Sequence, residues 1–322
     1  MKTPTSTDTG SGRKLARMLP RLLTETDPAI AALARRDLIG EPFDTSAATE
    51  SLLVARLLTG QRDDGGFGTP HYAKWRGAHW RLVSLVELGI PAGHPAATHA
   101  ADAVLAGWAG RRRLAGVPII DGRARRCASQ EGNAVAVACR LGFARDDRVT
   151  TLAAHLVRWQ WPDGGWNCDR RPAAHRSSFH ETLPALWGLH EYTAATGDPA
   201  AAAAAARAAE LLLSHRVFRR LGTVGPLNRT VTVPHWPPYW HYDALQAMVV
   251  LTRAGYGDDP RTADARALLA SQRRPDGTWH AGRPWWRPPG SPGSNVEAVD
   301  WGESMHAMVT LNALRVGCGN GG

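Results

Sequence analysis

Along this chain Ala- and Arg-rich stretches alternate with more apolar ones, and Pro- and Gly-rich breaks separate them, a pattern that predicts pairs of helices. Several stretches open on a capping residue followed by proline, as in Asp27-Pro28, His94-Pro95, Asp198-Pro199 and Asp259-Pro260. These openings lead into helices such as 199–216 and 260–272, assigned to an outer layer. Their more apolar partners, about 75–89, 128–142, 178–195, 239–254 and 299–316, form an inner layer whose starts face a common mouth. A further pair is expected near 13–38. No stretch carries the alternation of a strand ladder, and the segment PIIDG is too short to build a sheet.

One motif recurs three times: GQRDDGGFG at Gln61–Phe67, WQWPDGGWNCD at Gln160–Trp166 and SQRRPDGTWH at Gln272–Trp279. Each copy has Gln, then Asp-Gly-Gly or Asp-Gly-Thr, then Phe or Trp, and each follows a helical stretch. Glycine permits the positive φ of a sharp turn after a helix, the Asp caps nearby amides, and the ring packs over the end of the preceding helix beside the Gln amide.

These segments resemble the QW repeats of squalene/hopene cyclases and the glycine-rich repeats of protein prenyltransferase β subunits, over about residues 40–318. The resemblance implies an all-α fold, an (α/α)5–6 toroid of concentric inner and outer helices, with the active site in the central cavity. On that reading residues 1–12 are a polar, disordered lead-in and 13–318 a single domain. The reaction expected is prenyl transfer or a non-protonative cyclisation on an isoprenoid or other apolar small molecule. The Asp-x-Asp-Asp of cyclases that start by protonation is absent, as is DDxxD; RDDGG, RDDRV and GDDPR are loop or cap elements. Because the same fold hosts unrelated functions, two rivals stand beside this reading: a zinc-dependent enzyme of another class, and a non-catalytic binding toroid.

Protein prenyltransferases hold zinc with an Asp-x-Cys pair and a distant His at inner-helix starts. The counterparts here are Cys168 or Asp169, His180 and His241, with zinc as the implied cofactor. In RSSFHETLPALWGLHEY, Ser178 and Glu181 fit a capping box, which competes with a catalytic role for Glu181. His180 sits in a first turn, where the helix dipole disfavours the imidazolium and leaves a neutral base or ligand. His79, His180 and His241 lie at similar places in three inner helices, each also readable as a hydrogen-bonded structural residue. Asp243, Glu297 and Asp300 complete the acid/base candidates, with Asp300 also readable as a cap. The expected catalytic set is therefore His180, His241, Glu181, Asp243 and Asp300. The expected substrate wall is Trp75, His79, Trp166, Tyr239, Trp240, Trp285, Trp286, Arg287 and Trp301, rings suited to an apolar ligand or a cation. The loops VPHWPPYWHYD and RPWWRPPGSPGSN are too long for simple connectors and are expected to line the mouth.

Composition narrows the classes. The formal charge is +9, carried almost wholly by arginine, since Lys2, Lys14 and Lys74 are the only lysines. Apart from Arg111–Arg113 and Arg123–Arg126 these arginines are scattered without the aromatic interleaving of a nucleic-acid surface, so no nucleic acid partner is expected. Cys127, Cys139, Cys168 and Cys318 form no CxxC pair. With no apolar leader and no run of about 18 apolar residues, the expectation is a reduced, cytoplasmic protein without a transmembrane segment. A partner subunit, of the kind a prenyltransferase β chain needs, has no sequence signal.

Overall fold

The computed structural model describes residues 19–24 and 26–318; the lead-in 1–12 and the start of the pair expected near 13–38 lie outside the described residues. The protein is mostly helical. Among the described residues the sole ladder is the two-residue hairpin β1 (Ile119–Ile120) and β2 (Arg123–Ala124), with Ile119 opposite Ala124. Its turn residues Asp121 and Gly122 both have positive φ, 49° and 70°, the geometry that an Asp-Gly pair supplies to a tight hairpin.

From residue 28 on, the α-helices are α1 (Pro28–Ala34, continued as a π turn to Ile39), α2 (Thr45–Glu50), α3 (Leu52–Leu58), α4 (Ala78–Glu87), α5 (Pro95–Trp108), α6 (Arg111–Ala115), α7 (Ala128–Arg140), α8 (Asp147–Trp159), α9 (Phe179–Thr196), α10 (Pro199–Ser214), α11 (Ala244–Arg253), α12 (Ala263–Ser271) and α13 (Ser304–Arg315). Asp27, Asp198 and Asp259 cap as their Asp-Pro openings predict, accepting from Ala29 N, Ala201 N and Arg261 N. The helices α4, α7, α9, α11 and α13 pack each on the next, and α13 returns against α1. Each of α4, α7, α9 and α11 is covered by its successor α5, α8, α10 or α12. The apolar stretches are therefore the more buried partner of each pair. The last two start later than expected, at Ala244 rather than about 239 and at Ser304 rather than about 299. Pro237, Pro238 and the positive φ of Tyr239 (52°) keep the preceding segment out of a helix.

The three motif copies make one turn. Gly65, Gly164 and Gly277 take φ of 77°, 96° and 90°. In each copy a backbone N–H shortly after the Gln donates to a carbonyl four residues on: Arg62 to Gly66 and Trp161 to Gly165, each directly after its Gln, and Arg274 to Thr278, two residues after Gln272. The indoles of Trp166 and Trp279 reach back to Leu156 O (2.9 Å) and Leu269 O (2.7 Å), pinning each turn under the helix before it. Gln61 and Gln160 use their amides to tie the turn to the second helix on in sequence, α5 at Ala96 O and α10 at Ala204 O (2.8 Å each). Gln272 breaks the rule and bonds back to Thr232 O.

The closest helix pair is α7 with α9. A Cβ at Gly132 would lie 2.4 Å from Pro184 O, and one at Gly188 would lie 2.4 Å from Gly132 O. Glycine on both helices and a proline inside α9 let the backbones touch, which draws the starts of α7 and α9 together.

Candidate functional site

Three groups converge where α7 and α9 begin. Cys127 precedes the first residue of α7, Cys168 follows the second motif turn, and Glu181 stands in the first turn of α9. Their ligand atoms all lie within 4.8 Å of one another. Glu181 does not close a capping box with Ser178, whose side chain makes no cap bond. Its carboxylate crosses instead to α7, where Oε2 accepts from Ser129 N at 2.9 Å, while the Cys168 thiol donates to Oε1 at 3.6 Å. Burial pushes Glu181 up to about 8, and the neighbouring Cys168 sulfur adds to the shift. The hydrogen bond between the thiols draws Cys127 below the ordinary range and pushes Cys168 up. Around the cluster Arg126 and Arg113 pair with the buried Glu131. Tyr72 lies in electrostatic reach of Glu181 and Cys127 and its phenol is pushed up, chiefly by burial.

Tyr72 opens a continuous aromatic wall. It packs on Trp80 (5.0 Å), Trp80 on Trp75 (4.9 Å), and Trp75 stacks on Tyr239 (4.5 Å). A second column runs Trp240, His241, Trp285 and His235, with successive centroids 4.1 to 4.2 Å apart. The indole N–H groups of Trp240, Trp285 and Trp286 are buried without an acceptor among the described residues.

The sequence-chosen ligands divide. Among the described residues Cys168 joins Cys127 and Glu181, and His180 and His241 are not in that group. His180 Nδ1 accepts from Tyr242 N at 2.9 Å, so the ring fixes the approach to α11. His241 is clamped between two indoles, and burial holds it down to about 3. His79 accepts from Trp108 Nε1 at 3.2 Å and is likewise held neutral by burial. Asp243 caps α11, accepting from Gln246 N and, across the loop, from His235 N. Asp300 is exposed and turns the chain back to Gly302 N rather than capping α13. Trp166 and Trp301 are core residues, whereas Trp240, Trp285 and Trp286 keep partly exposed faces. Arg287 is exposed and spends one donor on Pro292 O. Glu297 is buried at 2 % exposure, receives the Tyr239 hydroxyl, and is raised by burial to about 7.

Trp236 to Tyr239 pack among the starts and middles of α4, α9 and α11 and leave between them a void of about 20 Å³, room for about one water. Sequence reasoning missed Cys127 as a partner of Cys168. The signal was its position directly before the apolar stretch expected at 128–142, the place that Ser178 holds before α9.

No protein-family model and no curated protein matches the chain. Among solved structures it is similar to a protein from Actinoplanes, at 19% identity and TM-score 0.41, covering 95% of this chain and 97% of that one. It is also similar to a type II terpene cyclase from Scytonema in complex with the product merosterolic acid A, at 15% identity and TM-score 0.29, covering 90% of this chain and 97% of that one. Among the described residues no helix is long and apolar enough to cross a membrane.

Proposed function

We propose that the helix pairs close into an (α/α) toroid and that the chain is a metal-assisted enzyme acting on an isoprenoid or other apolar small molecule at the end where the inner helices begin. The observation that carries this reading is the convergence of Cys127, Cys168 and Glu181 at two inner-helix starts. Two thiols and a carboxylate form a donor set that zinc accepts, and three protein ligands leave a catalytic ion its fourth position. When bound, zinc would supply Lewis-acid activation or a metal-held nucleophile. The chain's own residues do the rest. Ser129 N holds one Glu181 oxygen and so aims the carboxylate at the thiols, while the Glu131 pairs with Arg126 and Arg113 fix the flank. The apolar part of the substrate would lie on the half-exposed rings of Tyr72, Trp240 and Trp285, which exclude water from one side.

Metal analysis of the purified protein tests the proposal. One zinc per chain, lost in Cys127→Ser and Cys168→Ser with the fold retained, is expected, together with loss of isoprenoid turnover followed by mass spectrometry. Protein that folds and binds no metal after zinc loading overturns it.

A further inference from the structure

At the opposite end the inner helices finish on a second, larger cavity. Arg140, Arg253 and Arg315 are the last residues of α7, α11 and α13, and Glu87 is the last residue of α4. All four line one cavity of about 550 Å³, joined by Arg36 and Asp37 from the π turn after α1. Four guanidiniums thus face two carboxylates, an excess of 4 − 2 = 2. Glu191, which accepts from Arg140 at 2.8 Å, reduces it to 1. The guanidinium groups stand in a fixed frame: Arg253 grips Glu87 through both terminal nitrogens (2.9 and 3.0 Å), Arg140 reaches the same carboxylate at 2.9 Å, and Arg315 binds Asp37. Burial opposes the charge on Glu87, but the arginines outweigh it and hold the carboxyl down to about 2, so the frame stays ionised at neutral pH.

Arginine at a helix C-terminus neutralises the dipole, and that alone would explain one such residue per helix. It does not explain the cavity. Arg140 and Arg253 keep 25 % and 23 % of their side chains exposed while lining it, and Arg253 uses two of its five N–H donors on Glu87. The rest of the wall is apolar: Leu33, Phe43, Val86, Ile90 and Val249. A cavity of this size, walled by hydrocarbon with convergent polar groups at one place, has the make-up of a small-molecule site.

We propose that this cavity binds an amphiphilic anion, an apolar chain ending in a carboxylate or a phosphate. The arginine frame takes the head by charge-assisted hydrogen bonds, and the Leu33, Phe43, Val86, Ile90 and Val249 wall takes the chain. The site stands at the other end of the inner helices from the thiol cluster and does not depend on a metal there.

Titration calorimetry on the full chain with decanoate, decyl phosphate, 1-decanol and inorganic pyrophosphate tests it. At least one of the two alkyl anions should bind at least about tenfold more tightly than both decanol and pyrophosphate, and the stronger of the pair identifies the head group. Ala92→Trp, at an exposed rim position of the cavity, should weaken that binding at least about tenfold without shifting the melting temperature. Arg36→Gln, which leaves Asp37 its bond to Arg315, should weaken it in the same direction. Equal affinity for decanol and the anions, binding unchanged in Ala92→Trp, or no anion binding up to millimolar concentration each overturns the proposal.

Discussion

Replacing Glu297 by Gln should change how stability depends on pH, and the sign follows from the burial of the carboxyl. Glu297 is raised from 4.5 to about 7, first by burial, with the Tyr239 hydroxyl, the Ala298 amide and Arg81 opposing the rise. The folded state therefore keeps the proton to higher pH than the unfolded chain does. Between pH 4.5 and 7 the native state binds more protons, so stability falls as pH rises, and the loss is complete above 7. At ~1.4 kcal/mol per pH unit, moving the ionisation from 4.5 to about 7 costs the native state about 3 kcal/mol. Gln cannot ionise, and its carbonyl can still accept the Tyr239 hydroxyl, so the lost contact with Ala298 N is an offset that does not vary with pH. Urea unfolding of both proteins, followed by tryptophan fluorescence at intervals from pH 4.5 to 8, reads the difference directly. The variant should gain about 3 kcal/mol relative to the parent across that range, nearly all of it below pH 7.5. A difference that is flat with pH, or that moves against the variant, refutes the assignment of a buried neutral acid.

Other perturbations separate packing from chemistry. Gly188→Ala should cost about 1–3 kcal/mol or more by forcing α7 and α9 apart, since its Cβ would lie 2.4 Å from Gly132 O. Thermal melting checks it, and the loss should be larger than for Gly197→Ala, where positive φ is the sole strain. Gly164→Ala combines φ of 96° with a Cβ 2.5 Å from Arg207 O, and should cost at least about 1 kcal/mol in denaturant unfolding. His180→Ala removes the acceptor of Tyr242 N and should cost about 1–3 kcal/mol while leaving metal content unchanged. Glu87→Gln should reduce stability at pH 7 and lose that penalty on acidification through the range from 4.5 to about 2, because the stabilising charge of Glu87 is present only above it.

Much of the helical architecture was legible because its determinants are local. Asp-Pro openings fix helix starts, Asp-Gly turns fix their junctions, and apolar content separates the inner partner from the outer one. The errors fall where distant packing decides. The start expected near 239 lies at Ala244, because Pro237, Pro238 and the positive φ of Tyr239 hold the chain in a loop whose Trp236 packs edge-on against Trp301. Glu181 and Ser178 satisfy the spacing of a capping box, yet Ser129 N on another helix offers the carboxylate a buried partner and wins. The hairpin at 119–124 has strands of two residues, too short for any periodicity to register. Arg140, Arg253 and Arg315 of the larger cavity left a trace, each near the end of an apolar stretch, but nothing local says that those ends meet.

The central claim is that the functional end of the molecule is built on Cys127, Cys168 and Glu181 rather than on the histidines. X-ray absorption at the zinc edge of the zinc-loaded protein tests it most directly. The account predicts a first shell of two sulfurs at about 2.3 Å with oxygen donors at about 2.0–2.2 Å, and loss of the bound zinc in Cys127→Ser. A shell dominated by imidazole nitrogen, unchanged in Cys127→Ser and abolished in His180→Ala, would contradict it.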